Sequence, residues 1–197
     1  MLSRLDEDVL AGVRAAASAL ADAGFAVEET EIPDAYEAGE VGHLLTLVDG
    51  AASFDSRFRA HPELFGADVR SLIEDAHSVR AVDYLNAQRY RRVFQRKLDR
   101  MFDEYRVLLV PATPIAAPPI AGGPEDAGVA STRLVRPFNL AGVPVLTVPC
   151  GFDRDGMPFG LQIVSRAGDE LSGLRVGAVY QQVTSWHQRR PRVEQSE

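Results

Sequence analysis

The side chains in this chain that could act as nucleophile, base or metal ligand are few, and their neighbours do not activate them. Of the 21 basic residues only Lys97 is a lysine, and arginine does not release its proton near neutral pH. Any chemistry that needs a lysine base therefore rests on Lys97. A lysine becomes a base when desolvation or a neighbouring charge lowers its pKa, but Lys97 sits beside Arg96 and close to Arg100 on the polar side of a helical pattern. It reads as a solvated helix residue. Cys150 lies between Pro149 and Gly151 in an apolar stretch. A catalytic thiolate wants a basic, partly open setting, so Cys150 reads as a buried structural thiol. No serine has glycine on both sides and no Gly-x-Ser-x-Gly elbow occurs, so the sequence presents no serine on a strained nucleophile turn. His43, His61, His77 and His187 show neither metal-ligand spacing nor a His-Glu-x-x-His pair. The pair Gly122-Gly123 lacks the strand-to-helix setting of a phosphate loop. The sequence implies neither a metal nor an organic cofactor.

Composition narrows the class of protein. The chain has 197 residues, 46% hydrophobic and 25% charged, within the range of soluble globular proteins. A chain of this length, residues 1–197, suggests one domain or one large piece of one. It contains no run of about 18 apolar residues, so no membrane span is predicted. The opening MLSRLDEDVL is acidic and helical in pattern rather than a leader. One cysteine excludes an intramolecular disulfide framework, and the cytoplasm is the expected compartment. A net charge of −7 argues against nucleic acid as a partner.

The elements that must position any site are organised around the stretch from Asn139 to Gln162. Val145, Leu146, Val148 and Phe152 precede the turn Asp153-Arg154-Asp155-Gly156, and Phe159, Leu161 and Ile163 alternate after it. A period of two puts the latter on one face of a strand, so the segment reads as a hairpin. Asp and Gly suit the turn because they tolerate left-handed backbone angles. Pro144 and Pro149 cannot donate to a ladder and must lie at a strand end, an edge or a bulge. Gly151 and Gly160 leave room for a close approach to the backbone.

Leu2, Leu5, Val9, Val13, Ala16 and Leu20 recur at helical spacing. Ser3 with Asp6 is the predicted capping box and Gly24 the stop. Phe25 to Ile32 alternates and reads as a short strand closed by Pro33. A second helical pattern covers Ala35 to Ala60, with Gly39, Gly42 and Gly50 predicting a kink or break, and a shorter helix is predicted from Ala67 to Ala76. The longest runs from Ala81 to Tyr105, with Tyr90, Phe94, Leu98, Met101 and Tyr105 as its buried stripe. Its Arg89, Arg91, Arg92, Arg96, Lys97 and Arg100 admit two readings: a polyanion site, or a solvated face balanced by the 28 acidic residues. The net charge favours the second. Arg106 to Val110 reads as a strand buried on both faces. A Pro/Gly-rich loop follows, the kind of long connection that often lines a site. Asp169 to Trp186 reads as a final helix with Leu171, Leu174, Val179 and Val183 as its apolar side, and 189–197 as a frayed tail.

Several phrases resemble the amidase signature family. Pro137, Phe138, Asn139, Leu140, Ala141, Gly142, Pro144, Pro149 and Gly151 match its P-F-N-L-A-G-x-P-x-x-x-x-P-x-G phrase, and Gly156, Pro158, Gly160 and Gln162 match G-x-P-x-G-x-Q. Val107 to Pro114, VLLVPATP, is similar to the family's strand and Pro-Thr-Thr-Pro phrase. Asp83 to Arg91 is similar to the helix before it, and Val179 to Pro191 to the C-terminal helix with its Trp-His ending. The resemblance implies an α/β protein, the C-terminal portion of the amidase signature fold, with a mixed β-sheet covered by helices.

What the resemblance implies about function is divided. Family members cleave carboxylic amides with a serine nucleophile, a second serine in a cis peptide and a lysine, all in segments upstream of the region matched here. No catalytic residue is therefore assigned to this chain. It would supply scaffold and pocket wall, with Thr113, Thr132, Phe138, Asn139 and Gln162 as candidate pocket residues. For Asn139 a structural turn role is favoured over substrate contact, and Gln162 reads likewise as a hairpin hydrogen-bonding residue. The tRNA-dependent amidotransferase branch carries an acidic residue where this chain has Thr132, and a paired-arginine phrase where it reads Arg70-Ser71-Leu72; both departures favour a general amidase. The implied partners are a small amide substrate, and either an N-terminal amidase half or a second copy of the chain. A chain of another class, a non-catalytic remnant that binds a partner or ligand, remains the alternative to an incomplete or split enzyme.

Overall fold

Asp6 and Gly24 set the ends of the first helix. In the computed structural model, which describes residues 5–118 and 131–190, α1 spans Glu7–Asp22. Asp6 is its N-cap, accepting from the Asp8 N–H at 2.8 Å, and Gly24 follows with φ of +96°, a left-handed angle that favours glycine. The cap is thus Asp6 itself, which a short side chain reaching its own second N–H explains; Ser3 lies outside the described residues. Gly122, Gly123 and residues 191–197 of the predicted tail lie outside them too.

The described residues form two compact units, the first made of residues up to Glu31, Phe102–Leu134 and Val143 onward, the second of Ile32–Met101 and Val135–Gly142. In the first, strands β1 (Val107–Pro111), β2 (Val145–Phe152) and β3 (Pro158–Ser165) form a sheet in the order β1-β3-β2. Both pairings are antiparallel, with Leu109 opposite Ile163 and Leu146 opposite Ile163. The mixed sheet that the resemblance implies is represented among the described strands by antiparallel pairs alone. β1 lies at an edge of this sheet rather than inside it; Leu108 and Val110 are buried while Val107 and Leu109 are half-buried.

The hairpin follows from its sequence. Asp153 N–H donates to Met157 O at 2.9 Å, and Gly156 has φ of +80°. Pro149 sits at a bulge, where the register shifts between Pro149 and Gly151. Cys150 is the unpaired extra residue, so the missing N–H of Pro149 costs the ladder little. Alternation then gives the sheet two faces. Val148, Cys150, Phe159, Leu161 and Ile163 pack with Val9, Ala16 and Leu20 of α1 and with Val176 and Tyr180 of the last helix, α6 (Glu170–Val183). Fully burying each such aliphatic side chain contributes about 1.5–3 kcal/mol. Gly160, Gln162 and Val164 point to the opposite face by the same period of two.

The contact side of α6 differs from its sequence pattern. Leu171, Leu174 and Val183 are exposed, and the buried side is Ser172, Gly173, Val176, Gly177 and Tyr180. Small residues face the sheet because the helix approaches closely: a Cβ on Gly177 would come within 2.3 Å of Leu146 Cδ2. Asp169 caps the helix, accepting from Ser172 N–H at 3.2 Å and from its hydroxyl at 2.6 Å. Residues 25–32 form no strand. Phe25 and Val27 are exposed, and an alternating segment with no ladder partner has no reason to count as sheet.

The second unit is helical: α2 (Ala35–Ala60), α3 (Ala67–His77), most of α4 (Ala81–Glu104) and the six-residue α5 (Arg136–Ala141). α2 runs unbroken through Gly39, Gly42 and Gly50. Gly42 is a packing position, where a Cβ would lie 3.1 Å from Arg136 O of α5. The propensity cost of glycine is offset by that close approach. Arg91 and Gln95 of α4 reach across to α5, donating to Leu140 O and Ala141 O at 2.8 Å each, so two C-terminal helix carbonyls find partners. Part of the arginine-rich face of α4 is therefore structural. Lys97 is half-exposed and pairs with Asp34. Exposed pairs contribute little, so Lys97→Ala is expected to change the unfolding free energy by less than about 0.5 kcal/mol. Urea titration of the two chains would measure this; a loss of several kcal/mol would mean that the ion pair with Asp34 is a structural tie of the second unit.

Candidate functional site

Residues after β1, from Ala112 to Pro118, border a pocket of about 490 Å³ against the β2–β3 hairpin, its described lining wholly within the first unit. Its walls are Ala112 to Pro118 on one side and Thr147, Pro149, Pro158 and Gly160 on the other, with Ser131 at the rim. Two backbone bonds hold the first wall down: Ala112 N–H donates to Gly160 O at 2.8 Å, and Asp6 N–H donates to Pro114 O at 2.9 Å. Gly160 shapes the floor, since a Cβ there would stand 3.1 Å from Thr147 Cγ2 and 3.3 Å from Ala112 Cβ.

Behind the pocket, one strand position further along the same face, lies Gln162. It is 1% exposed, and its Nε2 donates to Pro111 O at 2.9 Å and to Leu134 O at 3.2 Å. These carbonyls stand at the two ends of the connection that carries the pocket wall. Gln162 thereby closes a long loop from inside the core, and both of its donors are used. A buried amide so placed is worth more than its net hydrogen bonds, because its loss strands two buried acceptors.

The five candidate pocket residues have different fates. Thr113 lines the pocket, with its hydroxyl donating to Ile115 O at 2.6 Å. Gln162 supports the pocket without lining it. Thr132 is exposed and does not line it. Phe138 and Asn139 belong to the second unit, on α5 rather than on a turn: Phe138 is fully buried, and Asn139 is exposed with its N–H bonded to Val135 O. Thr147 and Gly160 are pocket residues that the sequence does not single out as such. Gly160 carries a signal, being a glycine inside an alternating strand.

Among the described residues, the thiol is not primed for covalent chemistry. Cys150 is 2% exposed, and burial pushes its thiol up to about 12, which keeps it protonated and unreactive. Ser172 serves the α6 cap and Ser53 donates to Asp49 O. No group of His, Cys, Asp and Glu suited to a metal ion occurs among the described residues, and none of their helices is long and apolar enough to cross a membrane. Three carboxylates among the described residues are held below their ordinary range by hydrogen bonds: Asp8 by the backbone N–H and guanidinium of Arg154 in the hairpin turn, Asp83 by the guanidinium of Arg80, and Asp169 by Ser172. All are structural ties.

Comparison with known proteins assigns the architecture. The sequence model of the family Amidase matches residues 2–174. An amidase from Pseudomonas putida is 37% identical over 199 residues, covering 95% of this chain and 42% of that protein. A glutamyl-tRNA(Gln) amidotransferase component from Chloroflexus aggregans is 36% identical over 212 residues, covering 95% of this chain and 43% of that protein. Among solved structures, one described as a vestigial protein complex that reveals the evolutionary origins of an s-triazine catabolic enzyme has a TM-score of 0.81 at 30% identity, over 91% of this chain and 40% of that one. The chain thus spans about two-fifths of the length of the curated relatives it matches.

Proposed function

Because this chain belongs to the amidase family, we propose that it is the C-terminal scaffold and pocket wall of an enzyme that hydrolyses a carboxylic amide to the acid and ammonia or an amine. The observation that carries this reading is the pairing of a family match along most of the chain with a lysine that faces solvent. A serine nucleophile is weak until a base takes its proton, and Lys97, paired with Asp34 on an exposed helix face, is not such a base. The nucleophile and base would come from an N-terminal amidase part, on the same or another polypeptide. The cytoplasm is the proposed compartment, consistent with a single buried thiol.

The experiment is complementation. Purified chain, assayed against aliphatic and aryl amides, is expected to show no hydrolysis above background, since losing nucleophile and base removes several orders of magnitude of rate. Co-expression with an N-terminal amidase part that carries the two serines and the lysine is expected to give a co-eluting complex on size exclusion and to restore turnover. Hydrolysis by the chain alone, or a cooperatively unfolding monomer that ignores the N-terminal part, would sink the reading. The second outcome would leave a non-catalytic binding module, a reading favoured by one observation: a structural relative described as a vestigial complex.

A further inference from the structure

We infer that the outward face of α4 is a docking surface for an acidic, amphipathic helix of a partner protein. This goes beyond the proposed function and does not rest on it: the surface lies away from the pocket, wholly within the second unit. With 3.6 residues per turn, Arg89, Arg92, Arg96 and Arg100 fall within an arc of about 80° on the side of α4 opposite the buried Phe94 and Leu98. All four are exposed. Val82, Leu85 and Val93 lie on the same side, and they are exposed by 49%, 54% and 38%. From Val82 to Arg100 the stripe runs about 27 Å at 1.5 Å per residue.

The fold leaves this charge unused. The same helix shows what structural use looks like: Arg91 donates to Leu140 O, and Lys97 pairs with Asp34. Arg89, by contrast, donates only to the neutral side-chain oxygen of Asn86, at 3.0 Å. Arg92, Arg96 and Arg100 make no hydrogen bond or ion pair among the described residues. The aspartates beside the stripe are engaged elsewhere, Asp103 with Arg166 and Asp99 in an interaction of its own. Like charges three and four residues apart repel and lower the stability of a helix. The chain carries 28 acidic residues, yet places none to offset that repulsion. An anion from outside would.

Two features select a protein helix over a nucleic acid. Exposed apolar side chains rimmed by charge mark protein surfaces that bind protein, and a phosphate backbone gains nothing from Val82 and Leu85. A net charge of −7 also repels a long polyanion, whereas a short acidic segment meets the local cations. The spacing then describes the partner. Carboxylates three or four residues apart on one half of its helix meet the guanidinium groups, which can hold them with two hydrogen bonds each. Aliphatic side chains on the other half cover Val82 and Leu85.

The test titrates the whole chain with a capped helical peptide of about 20 residues. The peptide carries Glu at helical spacing along one half and Leu along the other. A scrambled peptide of the same composition and an oligothymidylate of similar length are the controls. The patterned peptide is expected to give saturable NMR shifts on α4, to bind at least ten-fold more tightly than either control, and to weaken as salt rises. The triple variant R92Q/R96Q/R100Q is expected to lose at least ten-fold, and Leu85→Ser at least three-fold, both with unchanged unfolding midpoints because the positions are exposed. Should the triple variant fail to fold, Arg96→Glu alone is expected to weaken the peptide at least three-fold. Equal binding of the scrambled peptide, tighter binding of the oligothymidylate, or undiminished binding in Arg96→Glu would each overturn the assignment. Self-association of the chain that the triple variant abolishes would overturn it too, since the face would then belong to a second copy.

Discussion

Gly12→Ala is expected to destabilise this protein, although alanine is the better helix former. Gly12 lies in the middle of α1, where propensity alone predicts a gain of roughly 1 kcal/mol on replacing glycine by alanine. The structure opposes it. A Cβ at this position would stand 2.3 Å from Phe159 Cε2 and 2.6 Å from Cζ, far inside the ordinary contact distance of about 3.5–4.0 Å. The ring also lies close to the Gly151 backbone, where an added Cβ would stand 2.4 Å from the same Cζ, which limits how far it can shift. Phe159 is 5% exposed and belongs to the core that joins α1, the sheet and α6. Overpacking of this kind costs about 1–3 kcal/mol, so Gly12→Ala is expected to lower stability by about 1–2 kcal/mol net, and Gly12→Leu to prevent folding. Chemical denaturation of Gly12→Ala, Phe159→Leu and the double variant gives the decisive cycle. The double variant should be more stable than the sum of the singles predicts, since leucine withdraws the clashing ring atoms. Stabilisation by Gly12→Ala, or strict additivity, would show that the helix has slack over Phe159.

The same close approach explains which parts of the fold were legible in the sequence. The hairpin could be read almost to the residue, because alternation, the Asp-Gly turn and the two prolines are local signals; Pro149 lies at a bulge as its missing N–H requires. The helices α1, α3 and α4 follow their periodicity. The contact side of α6 could not be read, since hydrophobicity marks Leu171 and Leu174 while the sheet receives Gly173 and Gly177. Where a helix packs tightly, the buried side is chosen by small volume, and a pattern of large apolar residues points the other way. The continuous α2 is the same case, with Gly42 serving α5 rather than breaking its helix. The alternation of 25–32 was misleading because a strand needs a partner as well as a pattern. Of the candidate residues, Thr113 stands in a loop that resembles parts near the family's substrate channel, and it borders the pocket of the first unit. That Phe138 and Asn139 belong to the second unit carries no local signal, because neighbours in sequence can enter different units.

Gln162→Glu is expected to convert the loop clamp into a pH-dependent fault. The amide donates to Pro111 O and Leu134 O from a position 1% exposed. A carboxylate of the same shape would aim negative oxygens at two carbonyl oxygens and lose its own hydration, and both effects disfavour the charged form. The variant's glutamate pKa is therefore raised in the folded state above its unfolded value of about 4.3. A raised folded pKa means that the variant is least handicapped below the unfolded pKa, where the protonated acid still donates one hydrogen bond. Stability is then lost as pH rises from the unfolded pKa toward the folded one. With buried carboxyl groups shifted by up to about 3–5 units at 1.36 kcal/mol each, the loss at pH 8, which the distance from the unfolded pKa caps, reaches about 4–5 kcal/mol, comparable to the whole stability of a marginal domain. Gln162→Leu separates charge from lost hydrogen bonds: it strands the two carbonyls at every pH and is expected to cost about 2–4 kcal/mol without pH dependence. The measurement is the difference in unfolding midpoint between each variant and the parent from pH 4 to pH 8, which cancels the parent's own acid sensitivity from Asp8 and Asp169. A Glu variant that tracks the parent across that range would mean that water reaches residue 162, and the clamp on the pocket-bearing loop would then have to lie elsewhere.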